Sequence, residues 1–176
     1  MSVTAPLGFR AAAAASGIKP GRLDLALLVA DAPCAAAGVF TTNLVQAAPV
    51  LVSREHLAAG RARAVVVNAG CANAGTGEGG LADARETASA VADTVRCAPR
   101  EVLVASTGVI GVRLPMEKVR GGIAEAGRRL SRDGGADAAR AILTTDTKPK
   151  EVAVEFRAGG ATGVVGGMAK GAGMIA

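Results

Sequence analysis

Polar residues able to handle a small substrate fall in four places. Asn68 and Asn73 flank Cys71; Ser106, Thr107 and Gly108 follow an apolar run; Thr144, Thr145, Asp146 and Thr147 precede Lys148; and Lys170 stands alone in a glycine-rich terminus. Singly, each has an ordinary structural use: Ser106-Thr107-Gly108 turns the chain, the TTDT run caps or turns it, and Lys170 is a surface lysine. Together, in small-residue surroundings, they stop looking independent of one another. The proton chemistry open to them is restricted. The single histidine, His56, lies in REHL near an expected helix start, with no companions for a metal cluster and no motif for a serine-histidine-aspartate triad. A hydrolase or transferase built on these residues would move its proton without imidazole.

Other chemistries are excluded by pattern. Gly75, Gly77 and Gly80 satisfy G-x-G-x-x-G, but Gly75 comes seven residues after Asn68, too late for a tight strand-to-helix turn. The next strand ends in Ser106 and Thr107, with no acid for a ribose. A non-enzymatic nucleotide-binding or phosphate-binding module on that loop is the weaker reading, and a mobile or ligand-lining loop the plainer one. Neither a Walker-type phosphate loop nor a G-x-S-x-G elbow occurs. Cys34, Cys71 and Cys97 lack any Cys-x-x-Cys spacing, and an odd number suits a reducing compartment. They are expected to be small buried residues.

The 20 Lys+Arg against 15 Asp+Glu give a charge of +5, but the basic residues are interleaved with acids: residues 113–140 hold seven cations and four acids. With 2% aromatics there is no stacking platform, so nucleic acid is not an expected partner. The charge-free stretch 32–53 is interrupted by Pro33, Thr41, Thr42, Asn43, Gln46 and Pro49 and fails as a membrane span. The alanine run 11–15 is a feeble signal segment. A cytoplasmic protein is expected.

The elements that must position the polar residues follow from periodicity. The 176 residues suffice for one domain, with 50% in the hydrophobic class but only 3 Phe and no Tyr or Trp, so the core must be built from small aliphatic residues. Residues 25–30 (LALLVA), 64–68 (AVVVN, expected to be central) and 102–105 (VLVA) read as strands, with 35–41 and 49–53 as two further candidates. Such apolar runs suit a sheet covered on its faces. Leu81, Ala84, Ala88, Val91 and Val95 recur at helical spacing and stop before Pro99. Pro115 opens a second helix carrying Met116, Val119, Ile123 and Leu130, and a short helix is expected around 136–143. Residues 152–156 (VAVEF) alternate as a half-exposed strand would. Helices and strands alternate, which gives an α/β class. From 158 to 176, seven of nineteen residues are glycine, a composition suited to backbone packed closely inside something larger.

In chain order, GIKPGRLDLALL, GVFTTN, AAPV, VVVNAGCANAGTG, ASTGVIGVRLPM, ILTTDTKPK and GGMAKGAGMIA resemble the ornithine acetyltransferase family, also called glutamate N-acetyltransferase, of arginine biosynthesis. STGVIG (106–111), TTDTKPK (144–150) and GGMAKGAGMI (166–175) are the most specific segments, and the match runs from about residue 17 onward.

The resemblance implies a precursor that cleaves itself before a threonine, whose freed amine and hydroxyl form the active site. Residues 1–176 then resemble the α chain, a single domain lacking the last few residues before the cleavage site. Its nucleophilic threonine is expected beyond Ala176, at the start of a separate β chain. It also implies an α/β sandwich resembling N-terminal-nucleophile enzymes, completed by that β chain, and an α2β2 heterotetramer. The implied reaction moves an acetyl group from N2-acetyl-L-ornithine to L-glutamate through an acetyl-enzyme. No cofactor is implied, and acetyl-CoA is left open as a second donor. The nearest rival is an N-terminal-nucleophile aminopeptidase or amidase, which would release the acyl group to water.

By the same resemblance Thr107 and Gly108 form the oxyanion hole, and Thr144 and Lys170 bind substrate. A threonine's own amine, with an ordinary pKa near ~8, can serve as base for its hydroxyl, which fits the scarcity of histidine. The family often has asparagine or serine where Ala69 and Cys71 stand. Cys71 is read as a packing residue, because no histidine or cation adjoins it in sequence to activate a thiol.

Overall fold

The computed structural model describes residues 2–173. Met174, Ile175 and Ala176, the end of the GGMAKGAGMIA segment, lie outside the described residues, as does the expected nucleophile. The elements are β1 (Phe9–Ala14), β2 (Leu25–Ala35), α1 (Ala48–Leu57), β3 (Arg61–Cys71), α2 (Gly77–Val95), β4 (Val102–Val109), α3 (Met116–Arg128), α4 (Gly135–Ala141), β5 (Lys150–Ala158) and β6 (Ala161–Ala169).

Strands β1 to β4 form one sheet in the order β1-β2-β3-β4, and β5 pairs with β6 in a separate hairpin. The first two pairings are antiparallel, but β3 and β4 run parallel, joined through α2. Period-two alternation then sorts the side chains. Leu25, Leu27, Val29, Ala64, Val66, Val102 and Val104 enter the main core with Val91, Val119 and Ile123 from the helices. Ala11, Ala13 and Ala26 face the other way, against Ala138, Ala141 and Ile142 of α4 and its end. That second layer is thin because its residues are small. A Cβ on Gly134 would sit 2.6 Å from the Ala11 carbonyl carbon, so the chain entering α4 rests directly on the β1 backbone.

Four expectations need correction. The alanine run 11–15, read only as a weak leader, supplies most of buried β1: pairing with β2 and close contact with α4 outweigh alanine's poor strand propensity. Residues 49–53 are helical, within α1, because Pro49 falls in the first turn where its missing N–H costs nothing, and Ala48, Pro49, Val52 and Ser53 form a helical buried face. Of residues 35–41, only Ala35 belongs to a strand. His56 stands in the last turn of α1, not near its start, with Nδ1 2.8 Å from the Val102 carbonyl oxygen.

The three cysteines are all free; Cys71 is buried, whereas Cys34 and Cys97 are only half-buried. Within the glycine-rich terminus, residues 161–169 form β6. A Cβ on Gly166 would lie 2.6 Å from the Ser2 carbonyl oxygen, which seats the hairpin against the amino-terminal segment. Among the described residues, no helix is long and apolar enough to cross a membrane.

Candidate functional site

The site gathers where β3 and β4 end side by side. Their register pairs Ala69 with Thr107 and Gly70 with Gly108, then breaks at a bulge where Cys71 faces both Thr107 and Val109. Gly70 and Gly108 both adopt positive φ, 114° and 137°. At Gly108 an added Cβ would lie 2.5 Å from the Gly70 carbonyl oxygen and from the Cys71 nitrogen. Only glycine allows these two strand ends to touch, and it leaves exposed backbone at Gly108 for a ligand.

A buried side chain fixes the bulge. Asn68, 4% exposed, donates from Nδ2 to the Cys71 carbonyl (2.8 Å) and accepts at Oδ1 from the Ser106 hydroxyl (2.6 Å). Asn68→Ala would orphan both partners. The expected cost is about 2 kcal/mol of stability, seen in thermal melting as a Tm lowered by about 4–8 °C; an unchanged Tm would contradict the assignment. Asn73 plays a comparable part in the loop before α2, donating to the Gly80 carbonyl (2.9 Å) and accepting from Thr76 (2.7 Å). The G-x-G-x-x-G spacing is therefore split: Gly75 lies in the loop, and Gly77 and Gly80 lie inside α2. Cys71 is 4% exposed, with Sγ 3.2 Å from the Val112 carbonyl oxygen that accepts its weak S–H bond.

Lys170, one residue beyond β6, donates from Nζ to Thr107 Oγ1 at 2.8 Å. Residues 63 apart in sequence are thus directly joined. Its backbone is held by Asp146, whose side chain is fully enclosed: Oδ1 accepts from the Gly171 N–H (2.6 Å) and from Lys150 Nζ (2.7 Å), and Oδ2 accepts from the Thr144 N–H (3.3 Å). The Lys150 bond, then the Gly171 N–H, hold this carboxyl below the ordinary carboxylate range, against the opposing effect of burial. The sign follows: the staple is ionised and intact above that range, and is lost only as pH falls well below it. With Thr144 and Lys170 in the substrate-binding role that the resemblance implies, Asp146→Asn, which replaces an acceptor oxygen with a donor, is expected to raise KM about tenfold by loosening both together. A steady-state KM equal to that of the parent would contradict the role.

Thr144 and Lys170 are brought near a third cation that sequence inspection passed over. Asp24, fully buried, accepts from the Ser16 N–H and hydroxyl (both 2.7 Å), the Gly17 N–H (3.1 Å) and the Lys19 N–H (2.8 Å). This carboxylate shapes loop 16–19 and lays it across Gly70, where an added Cβ would lie 2.8 Å from Ile18 Cγ2 and 3.0 Å from Lys19 Cγ. Lys19 Nζ then donates to the Leu143 carbonyl at 2.8 Å, beside Thr144. Burial lowers the Lys19 pKa; Asp24 opposes that, while Arg22 and Lys170 add to it. A cavity of about 420 Å³ opens here, lined by Lys19, Arg22, Arg140, Thr144 and Asp146 among others. The available signal was Asp24 itself, an acid directly ahead of the apolar run LALLVA, where burial demands several donors.

All four residues singled out from the sequence are thereby linked. Thr107 and Gly108 are consecutive, Lys170 bonds Thr107, and Thr144 reaches Lys170 through the Asp146 staple on Gly171. The arrangement offers exposed glycine backbone at a strand end and ammonium groups beside it, suited to an acyl oxygen that gains charge and to a carboxylate.

Comparisons with known proteins agree in one direction. A family model described as the ArgJ family matches residues 10–176. The arginine biosynthesis bifunctional protein ArgJ of Symbiobacterium thermophilum is 55% identical over 176 residues, covering 98% of this chain and 44% of that protein. Its counterpart from Dehalococcoides mccartyi is 51% identical over 177 residues, covering 99% and 43%. The chain spans less than half the length of these curated relatives. Among solved structures, ArgJ from Bacillus halodurans superposes with a TM-score of 0.94 at 40% identity, covering 100% of this chain and 93% of that one. The ornithine acetyltransferase of Mycobacterium tuberculosis, complexed with ornithine, gives 0.92 at 50% identity, covering 99% and 94%.

Proposed function

The chain belongs to the ArgJ family, and from that membership we propose that it is the α chain of a glutamate N-acetyltransferase whose reaction passes through an acetyl-enzyme. The observation that carries the reading is the Lys170–Thr107 contact set directly before exposed Gly108.

In the first step the hydroxyl of the β chain's N-terminal threonine attacks the acetyl carbonyl of N-acetylornithine, and the threonine's own amine takes the proton. Thr107 and Gly108 stabilise the tetrahedral oxyanion. The C–N bond breaks, the amine returns its proton to the leaving nitrogen, and ornithine departs. In the second step the glutamate amine attacks the acetyl ester through the same oxyanion, the threonine amine takes a proton from the attacking nitrogen and passes it to the threonine oxygen as the C–O ester bond breaks, and N-acetylglutamate and the free hydroxyl result. Lys170 and Thr144 hold the substrate, the lysine through its α-carboxylate. These steps balance without a cofactor, and acetyl-CoA would enter only as an alternative acetyl donor.

The ornithine held by the Mycobacterium tuberculosis protein is the product of the proposed first step, which supports ornithine as a ligand of this site. Exposed apolar side chains support a β-chain partner: Val109, Ile110 and Val112 at and beyond the end of β4, and Val152, Val154, Phe156 and Val165 on the hairpin. The proposal extends to completion of an α/β sandwich by that chain, to assembly as α2β2 and to a cytoplasmic setting.

The intermediate is directly testable. Protein quenched with N-acetylornithine in the absence of glutamate is expected to carry one acetyl group on the β chain's first residue, located by peptide mass mapping. An acetyl group on Cys71 instead, or free acetate as the only acyl product, would overturn the reading.

A further inference from the structure

Besides Lys150, which is paired with Asp146, two ammonium groups share this site, whereas the α-carboxylate of an amino acid needs only one. Lys170 Nζ bonds Thr107 Oγ1 and Lys19 Nζ bonds the Leu143 carbonyl. Among the described residues neither is within 4.0 Å of a carboxylate oxygen. Asp24, the acid nearest Lys19 in sequence, is occupied by its four donors. Lys19 is half-buried, so its charge has lost part of its water without gaining an anion in exchange. The adjoining cavity adds Arg22 and Arg140, of which Arg140 is already paired with Asp137, and its one acid, Asp146, is already bonded to Lys150 and two backbone N–H groups. The surroundings lack one anion, and a cavity of about 420 Å³ can admit an amino-acid side chain.

We infer that Lys19 is a specificity-determining residue of the acceptor step, receiving the side-chain carboxylate of a dicarboxylic amino acid while Lys170 receives the α-carboxylate. The inference rests on the acetyl-transfer reading above and deepens it. The chemistry of the two substrates explains why the acceptor is the one selected. The proposed donor has one carboxylate and a cationic tail, which Lys19 repels; the acceptor has two carboxylates and matches both cations. The same field favours departure of ornithine once its amide bond is broken, so one residue would discriminate between the leaving and entering amino acids.

Lys19→Met is the sharpest probe, because it keeps the stem that packs over Gly70 and removes only the charge and donor. In the full αβ protein, with N-acetylornithine as donor, kcat/KM is measured with glutamate and with its neutral isostere glutamine. The parent enzyme is expected to prefer glutamate by about 10- to 100-fold, the usual worth of a charged hydrogen bond. Lys19→Met is expected to lose that preference through a raised KM for glutamate, and Lys19→Arg to retain most of it. Lys19→Gln, which keeps a hydrogen-bond donor without charge, is read in the same way as the methionine variant. Equal losses on both acceptors would mark a merely structural lysine, and an undiminished preference for glutamate would equally overturn the inference. Failure of the parent enzyme to make any N-acetylglutamate would overturn the transferase reading and this inference together, a result readable before any variant is made.

Discussion

Gly108→Ala is expected to lower kcat at least ~100-fold, the usual consequence of losing one oxyanion donor. Two features of the backbone require this. The φ of 137° is one that residues with a side chain rarely adopt. A new Cβ would also press on the Gly70 carbonyl oxygen and Cys71 nitrogen at 2.5 Å, contacts between backbones that cannot rotate away. The strand ends must separate, and the N–H groups at Thr107 and Gly108 move from the position proposed for the oxyanion. Displacement of the transition-state contacts alone would appear in kcat more than in KM. Thermal melting alongside the kinetics separates this effect from loss of fold, and a folded variant with kcat within about threefold of the parent would remove Gly108 from the oxyanion hole.

Lys170→Met should act on the other parameter. Its ammonium is the group assigned to the substrate α-carboxylate, and a charged hydrogen bond of about 2–3 kcal/mol corresponds to a KM raised about 30- to 150-fold. Methionine retains most of the side chain's volume, so packing near β6 is little disturbed. Thr107 Oγ1 loses its donor in this variant, and a smaller fall in kcat is expected because the residue before Gly108 is then held less firmly. Saturation kinetics with both substrates decide the matter: an unchanged KM would contradict the role given to Lys170.

The contrast between these lesions reflects what could be read from sequence. Strands β3 and β4 are legible as short unbroken apolar runs, and helices α2 and α3 because their apolar residues repeat at spacings of three and four; all four supply residues to the main core. Strand β1 is not legible in this way. FRAAAA has no period, and its strand character comes from pairing with β2 and from α4 pressing on the other face. Helix α1 was masked by PVLVS, whose composition suggests a strand while Pro49 and the buried positions require a helical turn. Strand β6 was masked by glycine, which carries no pattern.

The site divides along similar lines. Thr107, Gly108, Thr144 and Lys170 were reached through the resemblance of STGVIG, TTDTKPK and GGMAKGAGMI to a known family, since nothing in residue spacing alone links them. The structure joins them through contacts of long sequence range, 63 residues for Lys170 to Thr107 and 25 for Gly171 to Asp146. Lys19 escaped because its bond to Leu143 spans 124 residues. Asp24 escaped because its work is to collect the backbone N–H groups of loop 16–19, and Asp146, though singled out within the TTDT run, was read there only as part of a cap or turn. The net charge of +5 acquires a local meaning from these placements: Lys19 and Arg22 line a cavity beside Thr144, and Lys170 stands on Thr107, a setting suited to small carboxylates.

The central claim is that an acetyl group moves between two amino acids on a site built partly from this chain. The most direct measurement supplies the full αβ protein with N-acetylornithine labelled in its acetyl carbon and unlabelled glutamate, without acetyl-CoA, and follows the label by NMR. The expected result is label in N-acetylglutamate, with ornithine released in equal amount. Label appearing only in free acetate would contradict transfer and identify a hydrolase of related architecture.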